Sequence, residues 1–149
     1  MMRISKAVKA ICRAVLVLAL VAPWGGPAAA QSLWVEVDLS EQRMTVTEGQ
    51  DRMFEWPVST ARVGKCTPAG VYTPYLLKEE HYSSLYNNAP MPWSVFFFGN
   101  YAIHGTTQVD MLGTPASAGC VRLAPENAET LFRRIQDVGK SETRILIRE

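Results

Sequence analysis

The sequence predicts a mainly β single domain, either a sandwich or a partly closed barrel, with one helix near the C-terminus. Two observations support this fold class. Through residues 33–103, short segments rich in apolar side chains, several of them alternating with polar ones, are separated by turn-forming residues, as in antiparallel sheets. After residue 124 the apolar spacing changes to that of a helix.

Residues 1–30 are predicted to be a secretory signal peptide, and residues 31–149 the folded domain. Four basic residues and no acidic ones accompany an apolar run at 14–22, which is followed by a Pro/Gly-rich break and three alanines at 28–30. Such a run is too short to span a bilayer, and small residues suit cleavage by signal peptidase. We expect cleavage after Ala30, and the alanines disfavour the alternative of an uncleaved membrane anchor.

The first half of the domain predicts successive antiparallel strands. Residues 33–38 (LWVEVD) alternate apolar and polar side chains, as a half-buried strand does. Residues 44–47 are the expected hairpin partner across a turn at 40–42. Apolar side chains at every second position of residues 54–58 predict a third strand.

The middle of the domain predicts further strands around a loop. Residues 71–77 are rich in Val, Tyr and Leu and predict a strand whose central proline suits an edge or a bulge. Residues 78–90 are polar without a clean period, which predicts a loop or short helix over one face of the sheet. Residues 93–98 and 101–103 are β-prone, and the second strand delivers His104.

The C-terminal part predicts one helix and a last strand. Pro125 suits a first helical position, and Gly139 suits the position just past a helix end. Residues 143–147 predict the closing strand. Between the proline and the glycine, apolar residues recur at helical spacing: Ala128, Leu131, Phe132, Ile135 and Val138.

The charge of the domain excludes two classes of partner. Residues 31–149 hold 11 Lys and Arg against 14 Asp and Glu, a net charge of −3, with no Lys/Arg-rich run. Neither nucleic acid nor an anionic membrane surface is therefore expected to bind. After residue 30 no segment is long and apolar enough for stable membrane insertion.

Residues 101–123 concentrate the chemistry of the chain. They place His104 before a glycine, and Cys120 after a glycine and two residues before Arg122. The thiolate is the attacking form of cysteine, and a neighbouring imidazole can take the thiol proton and later protonate a leaving amine. A strand end, a loop through Gly113 and Pro115, and a return strand could bring the two side chains together.

The residues around the cysteine predict the rest of an acyl-transfer site. Glycine at 119 allows a sharp backbone turn and close approach of a substrate carbonyl. Backbone N–H groups near Ala118, Gly119 and Cys120 could then form an oxyanion hole. If the chain continues as a strand, Arg122 projects to the same face as Cys120 and can hold a carboxylate.

The cysteines leave two other interpretations open. Cys12 lies in the predicted signal, and an exported protein normally pairs its thiols, so Cys66 and Cys120 could form a structural or switching disulfide. A metal site built from those two cysteines with His81 and His104 is disfavoured, because the spacings of 15, 23 and 16 match no familiar zinc pattern.

The motifs of this segment resemble those of the L,D-transpeptidase catalytic domain (YkuD-type). They are HGT at 104–106, GTP at 113–115 and SAGCVR at 117–122. Landmarks in the same order as in the family precede them: residues 37–42, 58–60, 67–70 and 91–92. The resemblance covers nearly the whole of the predicted mature chain.

The resemblance implies a β-sandwich-like enzyme that acts on peptidoglycan stem peptides in the periplasm, without metal or cofactor. Cys120 would attack the carbonyl before the terminal D-alanine of a tetrapeptide stem, with His104 as base and then acid. The backbone at Ala118 and Gly119 would stabilise the oxyanion. The expected substrate-binding residues are Arg122, Ser117, Gly105 and Thr106.

The same resemblance leaves alternatives to test. Many family members carry a histidine where this chain has Ala118, so substrate positioning could differ. The acceptor amine could belong to another stem, an envelope-protein lysine, the N-terminus of an outer-membrane protein or a free D-amino acid. With water as acceptor the site would be an L,D-carboxypeptidase, or an amidase-type hydrolase that releases such attachments. A sortase-like transpeptidase and a catalytically silent wall-binding domain are the remaining interpretations.

Overall fold

The computed structural model describes residues 32–149, so the predicted signal peptide lies outside the described residues. This part of the chain contains two β-sheets and one long helix, which confirms the predicted mainly β fold class. The two sheets remain separate hydrogen-bonded units, as in a sandwich. Within residues 32–149 no helix has the length and apolar character needed to cross a membrane.

The first sheet has five strands in the order β3–β2–β1–β9–β4. Strand β1 pairs antiparallel with β2 and parallel with β9, so the two ends of the domain meet at the centre of the sheet. The predicted alternation holds, because every second side chain of β1 is fully buried. The strands are β1 (Leu33–Asp38), β2 (Arg43–Glu48), β3 (Asp51–Pro57), β4 (Gly70–Tyr72) and β9 (Thr143–Arg148).

The second sheet has four strands in the order β5–β6–β7–β8 and carries the predicted site. Strands β7 and β8 are parallel neighbours, and their register sets His104 beside Arg122. The strands are β5 (Leu76–Lys78), β6 (Ser94–Phe98), β7 (Tyr101–Gly105) and β8 (Val121–Leu123).

The prediction of one strand over residues 71–77 is wrong. The chain forms two short strands there, and they belong to different sheets: β4 pairs with β9, and β5 pairs with β6. Pro74 lies in the break between them. Proline has no N–H to donate to a ladder, so it marks the point where the chain leaves one sheet for the other.

The helix α1 (Pro125–Val138) has the predicted limits. Pro125 occupies the first turn, and Gly139 ends the helix with a φ of 99°, a conformation that costs glycine little. The buried side chains of the helix join both sheets in one core, and each large one contributes roughly 1.5–3 kcal/mol of burial free energy. They are Ala128, Leu131, Phe132 and Ile135.

The second sheet buries side chains on both of its faces. One face joins the main core, whereas the other carries Phe96 and Ala102, which pack with Met91 in a smaller cluster. Residues 79–93 form a loop arm over this second face, closed by backbone bonds from Met91 N to His81 O (2.7 Å) and from Trp93 N to Glu79 O (2.8 Å). The expected segment over the sheet is therefore a loop without a helix.

Candidate active site

A cavity of about 420 Å³ lies between the loop arm and the second sheet. His104 from β7, Arg122 from β8 and Cys120 from the turn before β8 all line it. The parallel pairing of β7 with β8 sets His104 beside Arg122. Cys120 lies two residues before Arg122, and residues two apart along an extended chain share a face. The fold thus places in one cavity the three residues that the sequence predicted as a nucleophile, a base and a cation.

The imidazole of His104 is buried and held in one orientation. Its Nδ1 lies 2.7 Å from the carbonyl oxygen of Gly105, so Nδ1–H donates and Nε2 is left as the free acceptor. Burial lowers the pKa of His104 to about 4; the hydrogen bond to Gly105 opposes this shift, and the charge of Arg122 adds to it. At neutral pH His104 is therefore an uncharged base.

The thiol of Cys120 is half-buried and packs against the cluster of Met91, Phe96 and Ala102. Burial raises the pKa of Cys120, while the N–H of Ala102 and the charge of Arg122 act in the opposite direction. The thiol lies 3.8 Å from the carbonyl oxygen of Asn100. The free site thus holds a neutral thiol and a neutral imidazole, and deprotonation of the sulfur has to accompany attack.

The turn before the cysteine is fixed by its own hydrogen bonds. Ser117 Oγ accepts from Gly119 N–H (3.0 Å) and donates to the carbonyl of Cys120 (2.6 Å). Thr67 Oγ1 donates to the carbonyl of Gly119 (2.8 Å). Ser117 therefore shapes the turn, and its buried hydroxyl is already engaged.

Glycine at 119 is required by backbone conformation and by packing. Its φ of 141° lies in the region that side chains disfavour. A Cβ there would lie 2.6 Å from the Tyr101 ring and 2.9 Å from the carbonyl oxygen of Cys66. The space on the Cβ side of Gly119 is thus occupied by the chain's own groups, while Gly119 also lines the cavity.

Two of the predicted substrate-binding residues lie behind the cavity wall. Gly105 donates its N–H to the carbonyl of Pro92 (2.8 Å) and orients His104 through its own carbonyl. Thr106 is buried, donates its N–H to the carbonyl of Leu123 (2.9 Å) and accepts from Gln108 N–H through Oγ1 (3.1 Å). Both residues support the histidine and its strand, and neither lines the cavity.

Arg122 is half-buried and anchored at both backbone and side chain. Its backbone N–H donates to the carbonyl of Ser59 (2.9 Å), and its carbonyl accepts from the N–H of Ser59 (3.1 Å). Its side-chain Nη1 donates to Gln108 Oε1 (2.9 Å). Burial is the main cause that lowers its pKa. The guanidinium remains charged at neutral pH, since its ordinary pKa is far higher.

Both described cysteines are free thiols. Cys66 is exposed and Cys120 is half-buried, and they are not joined by a disulfide. Within residues 32–149, no group of three or more His, Cys, Asp or Glu side chains is arranged to hold a metal ion. Ala118 lines the cavity directly.

Sequence reasoning missed several residues of the cavity wall. Arg62 reaches the cavity from the loop after β3, and its Nη1 donates to the carbonyl of Ser117 (3.2 Å). His81, Leu85 and Tyr86 reach it from the loop arm. The arm had only one signal in the sequence, a polar stretch without a period, which gives no indication of what the loop covers.

The fold and the cavity define a class of protein: a two-sheet β domain with a cysteine–histidine site beneath a loop arm. The chain belongs to the L,D-transpeptidase catalytic domain family (YkuD), whose sequence model matches residues 32–147. None of the curated proteins matches the sequence.

Solved structures of the family share the fold. The L,D-transpeptidases of Xylanimonas cellulosilytica and Stackebrandtia nassauensis are 26% and 25% identical, with TM-scores of 0.66 and 0.69. The alignment with the Xylanimonas protein covers 82% of this chain and 63% of that one. The alignment with the Stackebrandtia protein covers 81% of this chain and 57% of that one. L,D-transpeptidase 3 of Mycobacterium tuberculosis, solved with a faropenem-derived adduct, is 18% identical with a TM-score of 0.69, covering 80% of this chain and 61% of that one. The chain therefore spans about three-fifths of these relatives.

Proposed function

We propose that this domain is an L,D-transpeptidase that acts on peptidoglycan tetrapeptide stems. Cys120 would form a thioester with the stem, release D-alanine and pass the acyl group to an amine. The observation that carries the proposal is the presence of Cys120 and His104 in one cavity, on the fold of the L,D-transpeptidase family.

In the first half-reaction, Cys120 attacks the carbonyl that precedes the terminal D-alanine. As the sulfur–carbon bond forms, the thiol proton passes to Nε2 of His104, whose Nδ1–H stays on the Gly105 carbonyl. The carbon–nitrogen bond then breaks, and the imidazolium gives its proton to the departing amine. A buried imidazole with a pKa of about 4 is a weak base, but as an imidazolium it is a strong acid for this second transfer.

The oxyanion of each tetrahedral intermediate needs donors close to the sulfur. The N–H of Gly119 is engaged by Ser117, so the N–H groups of Ala118 and Cys120 are the proposed donors. In the second half-reaction an acceptor amine attacks the thioester and passes a proton to Nε2. Expulsion of the sulfur then returns that proton to the thiol, which regenerates the free enzyme.

Purified protein incubated with a muropeptide tetrapeptide donor tests the proposal. Liquid chromatography with mass spectrometry would detect a crosslinked dimer, an exchanged D-amino acid or a tripeptide, which correspond to a stem acceptor, a free amino acid acceptor and water. We expect Cys120→Ala to abolish every product and labelling by a carbapenem, whereas Cys66→Ala retains them. Product formation by Cys120→Ala would refute the role of the nucleophile.

The proposal includes export to the periplasm, which rests on the sequence of residues 1–30. Mass spectrometry of the protein recovered from the envelope fraction should find a mature chain that begins at Gln31. A chain that keeps residues 1–30 would support the uncleaved anchor instead.

A further inference from the structure

The cavity carries positive charge without any acidic side chain. Among the described residues that line it are two arginines and two histidines, but no aspartate and no glutamate. The domain as a whole is acidic, with 11 Lys and Arg against 14 Asp and Glu over residues 31–149. The sign of the cavity is thus opposite to that of the domain, and such a cavity attracts anions.

The two arginines of the cavity lack carboxylate partners among residues 32–149. Arg62 donates to the backbone carbonyl of Ser117, and Arg122 donates to the side-chain amide of Gln108; both acceptors are neutral. Most other described arginines form ion pairs with Asp or Glu: Arg43, Arg52, Arg133, Arg134 and Arg148. Arg144, outside the cavity, donates only to backbone carbonyls, so two of the three described arginines without an ion pair line the cavity, where their charge is available to a ligand.

The histidines add little to this charge at neutral pH. Burial lowers the pKa of His104 to about 4, and burial together with the charge of Lys78 lowers the pKa of His81. Both arginines line the same cavity, and repulsion by the charge of Arg62 adds to the lowering of the pKa of Arg122 that burial begins. An anion between them would relieve this repulsion and could accept from both planar groups.

We propose that Arg62 and Arg122 together form a carboxylate-binding site beside Cys120, which selects acyl donors that carry a free carboxylate. The inference rests on the proposed function for the identity of the donor. The two carboxylates of a tetrapeptide stem nearest the scissile bond are the side-chain carboxylate of its third residue and the carboxylate of the terminal D-alanine. Amidation of the recognised group would remove its charge and weaken binding.

Alkylation of Cys120 tests the anion site without any assumption about the reaction. Iodoacetate and iodoacetamide form the same sulfur–carbon bond and release iodide, but only iodoacetate is an anion. Peptide mapping separates modified Cys120 from modified Cys66. It therefore gives the ratio of the iodoacetate rate to the iodoacetamide rate at Cys120 alone. We expect Arg62→Gln to lower the iodoacetate-to-iodoacetamide ratio about fivefold. The exposed Arg52, in β3 of the other sheet, provides a control with the same charge change, Arg52→Gln, which should leave the ratio unchanged.

An unchanged ratio in Arg62→Gln, or an equal fall in Arg52→Gln, would overturn the proposal. Thermal melting of each variant would establish that the cavity remains folded. Arg62 is exposed and forms one hydrogen bond to a carbonyl, so its replacement should change the melting temperature little.

Amidated donors identify which carboxylate is recognised. Three tetrapeptides would be compared: one unmodified, one amidated on the third residue and one ending in D-alaninamide. We expect one amide to lower kcat/KM roughly tenfold in the wild-type protein. Arg62→Gln should erase that preference, and Arg62→Lys should restore part of it. If Arg62→Gln lowers kcat/KM by the same factor for all three donors, Arg62 has a purely structural role and the inference is refuted. If no tetrapeptide reacts at all, the proposed function fails, while the alkylation ratio still decides the anion site.

Discussion

Replacing His104 with glutamine tests whether burial sets the charge of the candidate base. In the folded protein the pKa of His104 is about 4, below the ordinary value of 6.5. Above pH 6.5 the imidazole is neutral in both folded and unfolded chains, so its titration contributes nothing to stability. As the pH falls through 6.5 the unfolded chain binds a proton that the native chain does not, and the free energy of unfolding decreases.

The size of this effect follows from the pKa difference. A shift from 6.5 to about 4 corresponds to about 3 kcal/mol, fully expressed only below the folded pKa. Between roughly pH 7 and pH 5, His104 should remove about 2 kcal/mol from the free energy of unfolding. His104→Gln abolishes this contribution and also loses the Gly105 hydrogen bond, which is a cost that does not depend on pH.

Urea unfolding followed by fluorescence at several pH values between these limits measures the difference. We expect the wild-type free energy of unfolding to fall more steeply than that of His104→Gln, by about 2 kcal/mol over the range. The other histidine of the chain, His81, provides the control: it is only half-buried, so His81→Gln should keep most of the wild-type slope. Parallel curves for the wild type and His104→Gln would refute the reasoning.

Three further substitutions have predictable effects on stability by denaturant unfolding. Gly119→Ala should lower the free energy of unfolding by about 2–4 kcal/mol and impair acyl transfer. Gly64, which has open space around it, provides the control: Gly64→Ala should lower the free energy of unfolding by about 1 kcal/mol. Equal losses in the two variants would contradict the packing argument. Arg134→Met should cost about 3 kcal/mol because it leaves the buried Glu48 unpaired, and a loss below 1 kcal/mol would refute this. Ser59→Ala should be neutral or slightly stabilising, since this buried hydroxyl has no partner within residues 32–149, and a clear loss of stability would indicate one.

The structure confirms the predictions that depended on local patterns. The alternation in residues 33–38 gave a strand with one buried face, and Pro125 and Gly139 marked the ends of the helix. The prediction of one strand over 71–77 was wrong, because local β propensity does not specify which sheet a strand joins. The roles predicted for Cys120 and the residues around it stay predictions until the chemistry is measured.

The sequence alone determined the fold class and pointed to the candidate pair of residues. Both are local properties: side-chain periodicity reports the burial of each element, and the motifs around His104 and Cys120 lie within one short span. Only the tertiary structure decided what surrounds that pair. Arg62 reaches Ser117 across 55 residues, and His81 reaches the cavity from the loop arm. Such contacts depend on how strands and loops assemble in space, and so does the burial that lowers the pKa of His104.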